Sequence, residues 1–547
     1  MSALTDSPAD SRSNVGPGTD GTPSELRGAT FVVLALAMIG VLAVAWFDLQ
    51  TRLPLLDEYA RRWSIEMFVA GRGFQTLGSS PNLVQLLLSA PLAWLNTDPA
   101  LWRLTAIPFL AMQGVFVGLI ARHLGANKFW SVLGGVCIIC NPLNLALSTG
   151  MMTETTFLGL FAAAMWAGLN WVETGRFRWL CVALTVLATL QRPQGVGLAA
   201  VVLFGLLFVA SHRRNLRQDG LAGFALLVLS VVAFRLPSLL SGMSPRLAGS
   251  ASTTGAPTAP LPSLGFEAFV LANLPALLGL TILPMAAGLV AFRRTRSKKS
   301  YLWVLPALLA GLAIVFTLVY SLGPAGRPVF VGNIVGATGL GAPILGGSKV
   351  SPFPPFAFAA VEVAAIATYG VVLLLRRDLW TLSKLSQPTK LLLGFSGVQL
   401  LFIMGYGEVF DRYYLAVILP LVPVLAAAAG ATTRRRLSAA WAIVTVLGSL
   451  TMYFIGVQDY EAWQEARHRA AEIAYTQAAV NQVDAGFEEN AVNIWIPADE
   501  DPTGNLPRQV AADPQIELLF SVPNDPRPGV AYRSPGASGK IVINRRH

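Results

Sequence analysis

Charge is what this sequence has least of. Asp, Glu, Lys and Arg make up 13% of its 547 residues, where a soluble chain carries roughly a quarter. With 54% hydrophobic residues and a mean hydropathy of +0.56, that scarcity excludes an ordinary soluble domain. Cysteine is nearly missing too. Cys137, Cys140 and Cys181 all stand in apolar runs. Cys137 and Cys140 share a helix face but have no third or fourth ligand nearby, so they read as packing residues rather than a zinc site or disulfide framework.

What the sequence has in quantity is apolar length. Runs of about 20 residues, each long enough to cross a bilayer, recur from Thr30 almost to Gly456. The formal charge of +10 invites a nucleic-acid reading, but the basic residues fall mostly in short segments between apolar runs, as the positive-inside rule expects. No nucleic-acid partner is expected. The expected fold class is an all-α polytopic membrane protein with a small C-terminal α/β appendage.

Residues 1–26 are rich in Ser, Thr, Pro, Gly and Asp and read as a disordered cytoplasmic leader. The first apolar run has no small-residue cleavage site after it, so it reads as an uncleaved anchor. Basic clusters stand at Arg122-His123-Lys128, Arg176-Arg178, His212 to Arg217, Arg293 to Lys299, Arg376-Arg377 and Arg434 to Arg436. If all are cytoplasmic, two spans separate each from the next. The expected spans are then 29–47, 100–121, 129–147, 154–172, 178–192, 195–211, 219–240, 267–292, 301–322, 355–375, 390–406, 413–430 and 437–456, about thirteen in all.

One run does not fit that parity. Residues 81–96 are short, carry Pro81 and Pro91, and are expected to lie on the outer interface. Residues 48–99 then form one large external loop with two interfacial helices. The first, Asp57 to Ala70, places Tyr59, Trp63, Met67 and Ala70 on one face, with Arg61, Arg62 and Glu66 away from it. The domain expectation is a leader over 1–26, a transmembrane catalytic part over 27–457 and an external C-terminal domain over 458–547. The tail begins with a charged helical stretch, Asp459 to Asp484. Strand-like runs follow from Ala491, Ile516 and Gly539.

On this map the ionisable residues outside the basic clusters converge on the outer side. They are Asp57 and Glu58 in the first loop, Arg103 early in the next span, Glu154 at a helix start, Arg192 at a span end, and Glu408, Asp411 and Arg412 between two late spans. Ionisable residues at membrane depth are costly and commonly line a pathway or cavity. Each also has a plainer explanation. Arg103 can snorkel to headgroups, Glu154 can favour a helix dipole, and Asp411 with Arg412 can be a simple loop pair. Asp57 and Glu58 are adjacent, so on a helix their side chains diverge by about 100° and only one can face a reacting atom. A carboxylate beside an apolar interface is desolvated, which suits a general base near neutral pH.

The order of these small features resembles the GT-C class of membrane glycosyltransferases, which includes protein O-mannosyltransferases and the aminoarabinose transferase of lipid A. The resemblance runs from about Phe31 to Arg469. It rests on the acidic pair in LLDEY after the first span, the interfacial helices, the early Arg103, the proline-bearing CNPLNLALSTG leading to Thr153-Glu154, the Arg-Pro of LQRPQG, and Arg412-Tyr413. It implies an inverting transfer of sugar from a polyprenyl-phosphate donor to a glycan, lipid or protein acceptor on the outer face. Carried over by position, Asp57 is the catalytic base with Glu58 as support. Glu154 is an acid near the acceptor, and Arg103, Arg192 and Arg412 are candidates for the donor phosphate. Asp48 and Glu66 are given structural roles.

The sequence departs from the pattern where many relatives open a segment with His-Pro-Pro. Here it reads Ser79-Ser80-Pro81-Asn82, and the histidines on the outer side are His468 and His547. No cofactor is expected. A divalent metal between Asp57 and Glu154 is the alternative, but a single second-loop acid favours metal independence. Two competing functions are a flippase or transporter of lipid-linked glycans, against which the one-sided acids and unmatched halves argue, and a glycan polymerase or ligase, against which the acidic first loop argues. The leader's composition favours a bacterial plasma membrane, with the N-terminus cytoplasmic and the C-terminus external.

Overall fold

Apolar length and proline placement set the architecture. The computed structural model describes residues 23–50, 58–74, 82–209, 216–241, 264–290, 334–336, 339–340, 345–375, 385–405, 410–430, 435–486, 489–490 and 514–546. In chain order the helices are α1 (Pro23–Gln50), α2 (Glu58–Val69), α3 (Leu83–Leu95), α4 (Pro99–Arg103), α5 (Ile107–His123), α6 (Lys128–Ile139), α7 (Pro142–Ser148), α8 (Thr153–Thr174), α9 (Arg178–Gln191), α10 (Val196–Phe204), α11 (Leu216–Ser241), α12 (Leu264–Ile282) and α13 (Ala286–Val290). The short strands β1 (Val335–Gly336), β2 (Gly339–Leu340) and β3 (Gly346–Gly347) follow. Next come α14 (Pro355–Leu375), α15 (Gln387–Gly405), α16 (Tyr414–Ile418), α17 (Leu421–Ala429) and α18 (Arg435–Tyr475), then β4 (Val483–Asp484), β5 (Ile516–Ser521), β6 (Gly529–Arg533) and β7 (Ser538–Arg545).

Among the described residues, six helices are long and apolar enough to cross a bilayer, or up to eight if each of two bent pairs is one span. This is consistent with a polytopic helical membrane protein. Fewer than the thirteen expected spans meet that length among the described residues, because several of them are short helices and others lie wholly or partly outside those residues. Helix α9 has 14 residues, about 21 Å at 1.5 Å per residue, against a hydrocarbon layer of about 30 Å. The expected span 301–322 and the expected strand from Ala491 lie outside the described residues. The first helix begins at Pro23, inside the expected leader. Its exposed apolar residues, Phe31, Leu34, Met38, Leu42 and Trp46, recur at helical spacing, as a lipid-facing stripe does.

Both bent pairs break beside proline. The axis turns by 57° between α6 and α7, and by 54° between Asp411–Ile418 and Leu421–Ala429. At the first break Pro142 has no N–H to continue the ladder, and the Asn141 side chain accepts from Leu143 N at 2.9 Å. At the second, Pro420 opens α17. Helix α8 lies at the centre, with 89% of its apolar stretch buried against 33–44% for the other five long helices. Gly159 lets it approach α5, since a Cβ there would lie 2.7 Å from the Phe109 carbonyl oxygen.

In the segment between α1 and α4, α2 is buried on two sides. Tyr59, Ala60 and Trp63 cluster with Met67. Ile65 joins Phe74, Leu83, Leu86, Trp102 and Met151. The expected Tyr59–Trp63–Met67 face is therefore present, but Ala70 is exposed. Arg61, expected away from the packed face, is buried, because the second packing surface leaves little of the helix open. Helix α3 buries Val84, Gln85, Leu86, Ser89 and Ala90 and exposes Leu87, Leu88, Trp94 and Leu95. That apolar outer side suits a helix resting on lipid.

Helix α18 has 41 residues, about 60 Å, which is twice the hydrocarbon thickness. Its second half therefore projects beyond the apolar layer, and the helix passes the expected 457/458 boundary without a break. The small sheet packs on that half. Its order is β3-β5-β7-β6, with β4 also pairing with β5. The β5–β7 and β6–β7 pairs are antiparallel, and β3 and β4 pair with β5 in parallel. Ile516, Leu518 and Phe520 alternate inward along β5, and Phe520 meets Trp463 of α18 edge-on at 5.2 Å. Ala466, Ala470 and Ala474 are buried at four-residue spacing, a run of small side chains over which the sheet can lie close. Beside them Lys349 Nζ pairs with Asp459 at 2.8 Å, and Ser534 Oγ donates to the same carboxylate at 2.7 Å. Burial lowers the Lys349 pKa below its usual 10.5, with Asp459 pulling the other way.

Candidate active site

Three chain breaks bring Glu154, Arg192 and Arg412 together. Glu154 is the second residue of α8, where an acid suits the helix dipole. Arg192 follows α9 and precedes Pro193, and a residue before proline is pushed out of the helical region. It adopts φ −149° and ψ 139°, which ends the helix. Arg412 lies in the single 3-10 turn Asp411–Tyr413 ahead of α16. Asp411 fixes that turn: one carboxylate oxygen accepts Arg412 N at 2.8 Å, and the other accepts Ile334 N at 3.0 Å.

At the junction one oxygen of Glu154 meets Arg192 Nη1 at 2.6 Å and Arg412 Nε at 3.2 Å. The other oxygen accepts Thr153 Oγ1 at 3.2 Å. All three charged side chains are buried. The Tyr413 ring lies 5.3 Å from the Arg192 guanidinium and 5.6 Å from that of Arg412, and the Phe410 ring lies 4.9 Å from Arg412. Ring faces attract cations, which helps two like charges share the site. One carboxylate thus holds two guanidiniums side by side, and the buried Asp411 carboxylate lies at the turn beside them. Such a centre suits an anion that gains charge during a reaction.

A second ion pair lies under the first loop. Arg103 Nε meets Glu58 at 2.6 Å with both side chains buried, and Arg103 Nη1 donates to the Asp48 carbonyl at 3.3 Å. Pro99 opens α4 with Asp98 capping it through Ala100 N at 2.9 Å, which sets Arg103 in its last turn. Asp48 Oδ1 accepts Gly150 N at 2.7 Å. The bonds of Asp48 thus tie the end of α1 to the segment that leads into Glu154. Asp57, the residue ahead of Glu58, lies outside the described residues, as does Glu408.

The arrangement therefore gathers Glu154 with Arg192 and Arg412 and gives Arg103 to Glu58. Sequence reasoning missed the amides that hold these groups. Gln191 Oε1 accepts Gln85 N at 3.0 Å, and its Nε2 donates to Thr153 O at 3.3 Å. Gln113 donates to Thr155 O at 3.1 Å and accepts from Asn144 at 2.8 Å. The available signal was an amide within an apolar run, which must find a partner when buried.

No family model matches the sequence, and no curated protein matches it. Solved structures do. The protein O-mannosyltransferase Pmt1-Pmt2 complex of S. cerevisiae, bound to the sugar donor, is similar over 41% of this chain and 36% of the yeast chain, at 12% identity and a TM-score of 0.31. The present chain thus spans about a third of that protein's length. ArnT from Cupriavidus metallidurans, solved bound to undecaprenyl phosphate and in the apo state, is similar over 93% of this chain and 97% of its own, at 15% identity and a TM-score of 0.44. At TM-scores this low the likeness is one of backbone path, and the chemistry of the site stands on its own residues.

Proposed function

We propose that the protein is an inverting glycosyltransferase that moves a sugar from a polyprenyl-phosphate donor to a cell-envelope acceptor on the outer face of the membrane. The observation that carries this reading is the buried Glu154–Arg192–Arg412 cluster, in which one carboxylate holds two guanidiniums side by side. A sugar-phosphodiester lipid carries one negative charge, and its leaving group, a phosphate monoester, carries up to two. Two guanidiniums already oriented by a carboxylate and by aromatic faces match the added charge without reorganising.

In the proposed step the acceptor hydroxyl oxygen attacks the anomeric carbon as the bond from that carbon to the phosphate oxygen breaks. The electron pair leaves with the polyprenyl phosphate, and the hydroxyl proton passes to a carboxylate. We assign that base to Asp57, because the neighbouring Glu58 is occupied by Arg103. Glu58 then anchors the start of α2, and Arg103 serves it as counter-ion rather than gripping the donor phosphate. Glu154 orients the two arginines. The acceptor is a hydroxyl of a glycan, a lipid or a protein.

The test is transfer and donor binding with purified protein in detergent, using synthetic undecaprenyl-phosphate sugars. Arg192→Gln and Arg412→Gln are each expected to lower kcat by about 100-fold, the scale seen when a charge-stabilising donor is removed, and to weaken binding of undecaprenyl phosphate itself. Full transfer by both variants overturns the assignment. Passage of the lipid across liposomes with no transfer at all overturns the enzyme reading in favour of a flippase.

A further inference from the structure

The turn that opens α3 carries three unfavourable features at once. Asn82 holds a left-handed backbone, φ 40° and ψ 22°, which few non-glycine residues adopt. It occupies the N-cap position, where an asparagine oxygen ordinarily accepts a backbone N–H of the first turn, yet its side chain makes no capping bond. Its Oδ1 is buried with no hydrogen-bond partner among the described residues. One turn on, Gln85 is 1% exposed, and neither its Oε1 nor its Nε2 has a partner among them. The next polar residue on this side is satisfied, since Ser89 Oγ bonds Thr105 Oγ1 at 3.1 Å. Along α3 the unpaired atoms are those of Asn82 and Gln85. Elsewhere among the described residues single atoms such as Asn144 Oδ1, Thr156 Oγ1 and Thr185 Oγ1 also lack a partner, but at Asn82 and Gln85 three stand within one turn.

Buried amides are normally paired, and each exception calls for an explanation. Strain and unmet polarity that collect at one turn are a mark of a site. This turn is joined to the proposed reaction centre. Gln85 N donates to Gln191 Oε1 at 3.0 Å, and Gln191 Nε2 donates to Thr153 O at 3.3 Å. Gln191 adjoins Arg192, and Thr153 adjoins Glu154. Two of the three unpaired atoms are carbonyl oxygens, which accept hydrogen bonds and cannot donate to a phosphate. Between them the two carboxamides offer acceptor oxygens and an N–H donor, the complement of neighbouring hydroxyls that each donate and accept.

We infer that Asn82 and Gln85 form a carbohydrate-recognition element, which hydrogen-bonds ring hydroxyls of a sugar in the transfer site. The inference rests on the glycosyltransferase reading above and adds a specificity determinant to it. The sugar is either the one being transferred or one in the acceptor, and the test separates the two.

Gln85→Met removes the carboxamide at similar volume, and Asn82→Gly removes the amide and the backbone strain together. Each is compared with wild type for melting temperature, for binding of undecaprenyl phosphate and of undecaprenyl-phosphate mannose and arabinose, and for transfer kinetics. The expected variants melt at the wild-type temperature or higher, since an unmet polar group is lost. They bind undecaprenyl phosphate as wild type does. They lose at least about tenfold in kcat/KM, as a site built to bond a hydroxyl does when the bond is lost. Weaker binding of the sugar-bearing lipid places the contact on the donor sugar, and a raised KM for acceptor alone places it on the acceptor. Wild-type binding and kinetics in both variants overturn the inference while leaving the transferase reading standing. Wild-type protein that neither binds undecaprenyl phosphate nor transfers sugar overturns both.

Discussion

At the scale of single residues, the behaviour of the proposed centre follows from its ion pairs. Glu154 holds two buried guanidiniums. Removing its charge strands them, and breaking a buried ionic cluster from one side costs roughly 3–5 kcal/mol. Glu154→Gln is therefore expected to lower the melting temperature and to depress transfer, which scanning calorimetry and initial rates can check. The same geometry bears on metals. A carboxylate already facing two cations is a poor ligand for a divalent ion, so chelation is expected to leave turnover unchanged. A tenfold loss on adding chelator, restored by magnesium or manganese, contradicts that. Glu154, Arg192 and Arg412 were legible in the sequence as ionisable residues in an apolar chain. Their mutual pairing was not, because they are far apart in the chain and meet only through helix packing. The partnership of Arg103 with Glu58 was hidden for the same reason.

At the scale of elements, helix ends decide where the charged groups stand. Pro193 ends α9 at Arg192, and the Asp411 carboxylate fixes the turn at Arg412. Asn141 and Pro142 bend the span that leads towards Glu154. Proline and capping residues are local signals, and the end at Arg192 was legible from them, whereas 129–147 and 413–430 read as unbroken spans and are bent. Helix length was not legible, because α9 has the apolar composition of a span yet only 14 residues, with Trp179, Leu180 and Leu187 exposed on its outer side. The continuity of α18 was also illegible, since its charged second half looks like the start of a separate region until the sheet on its alanine side is seen. Helix α8 positions Glu154 by close contact with α5. Gly159→Val places side-chain atoms against the Phe109 backbone, and overpacking of this kind costs about 1–3 kcal/mol. A lower melting temperature and reduced transfer are expected. Gly397→Ala, where a Cβ meets nothing within 4 Å, is expected to change neither.

At the scale of the whole molecule, the sheet and the helical part are tied through one long helix and one loop. Strand β3 joins the sheet beside β5. Ile334, in the same connection, donates to Asp411 beside Arg412. The C-terminal strands are thus linked through a short run of chain to the proposed phosphate-binding arginines. Lys349–Asp459 fastens that link. The buried lysine is already biased against its charge, so the pair is weak evidence of net stability, but its one-sided removal leaves Asp459 uncompensated. Lys349→Met is expected to speed proteolysis of residues 514–546, and Lys349→Met with Asp459→Leu to restore resistance. Equal protease sensitivity in wild type and both variants contradicts the anchor.

The central claim is that a first-loop carboxylate takes the acceptor's proton while the sugar leaves a lipid phosphate. Single-turnover transfer from radiolabelled undecaprenyl-phosphate sugar, by wild type, Asp57→Asn and Glu58→Gln side by side, tests it most directly. The account predicts that Asp57→Asn binds donor normally but loses general-base catalysis, a fall of about 100-fold or more. Glu58→Gln, which releases Arg103, loses stability along with part of its rate. Near-normal transfer by Asp57→Asn, with donor bound as in wild type, contradicts the account.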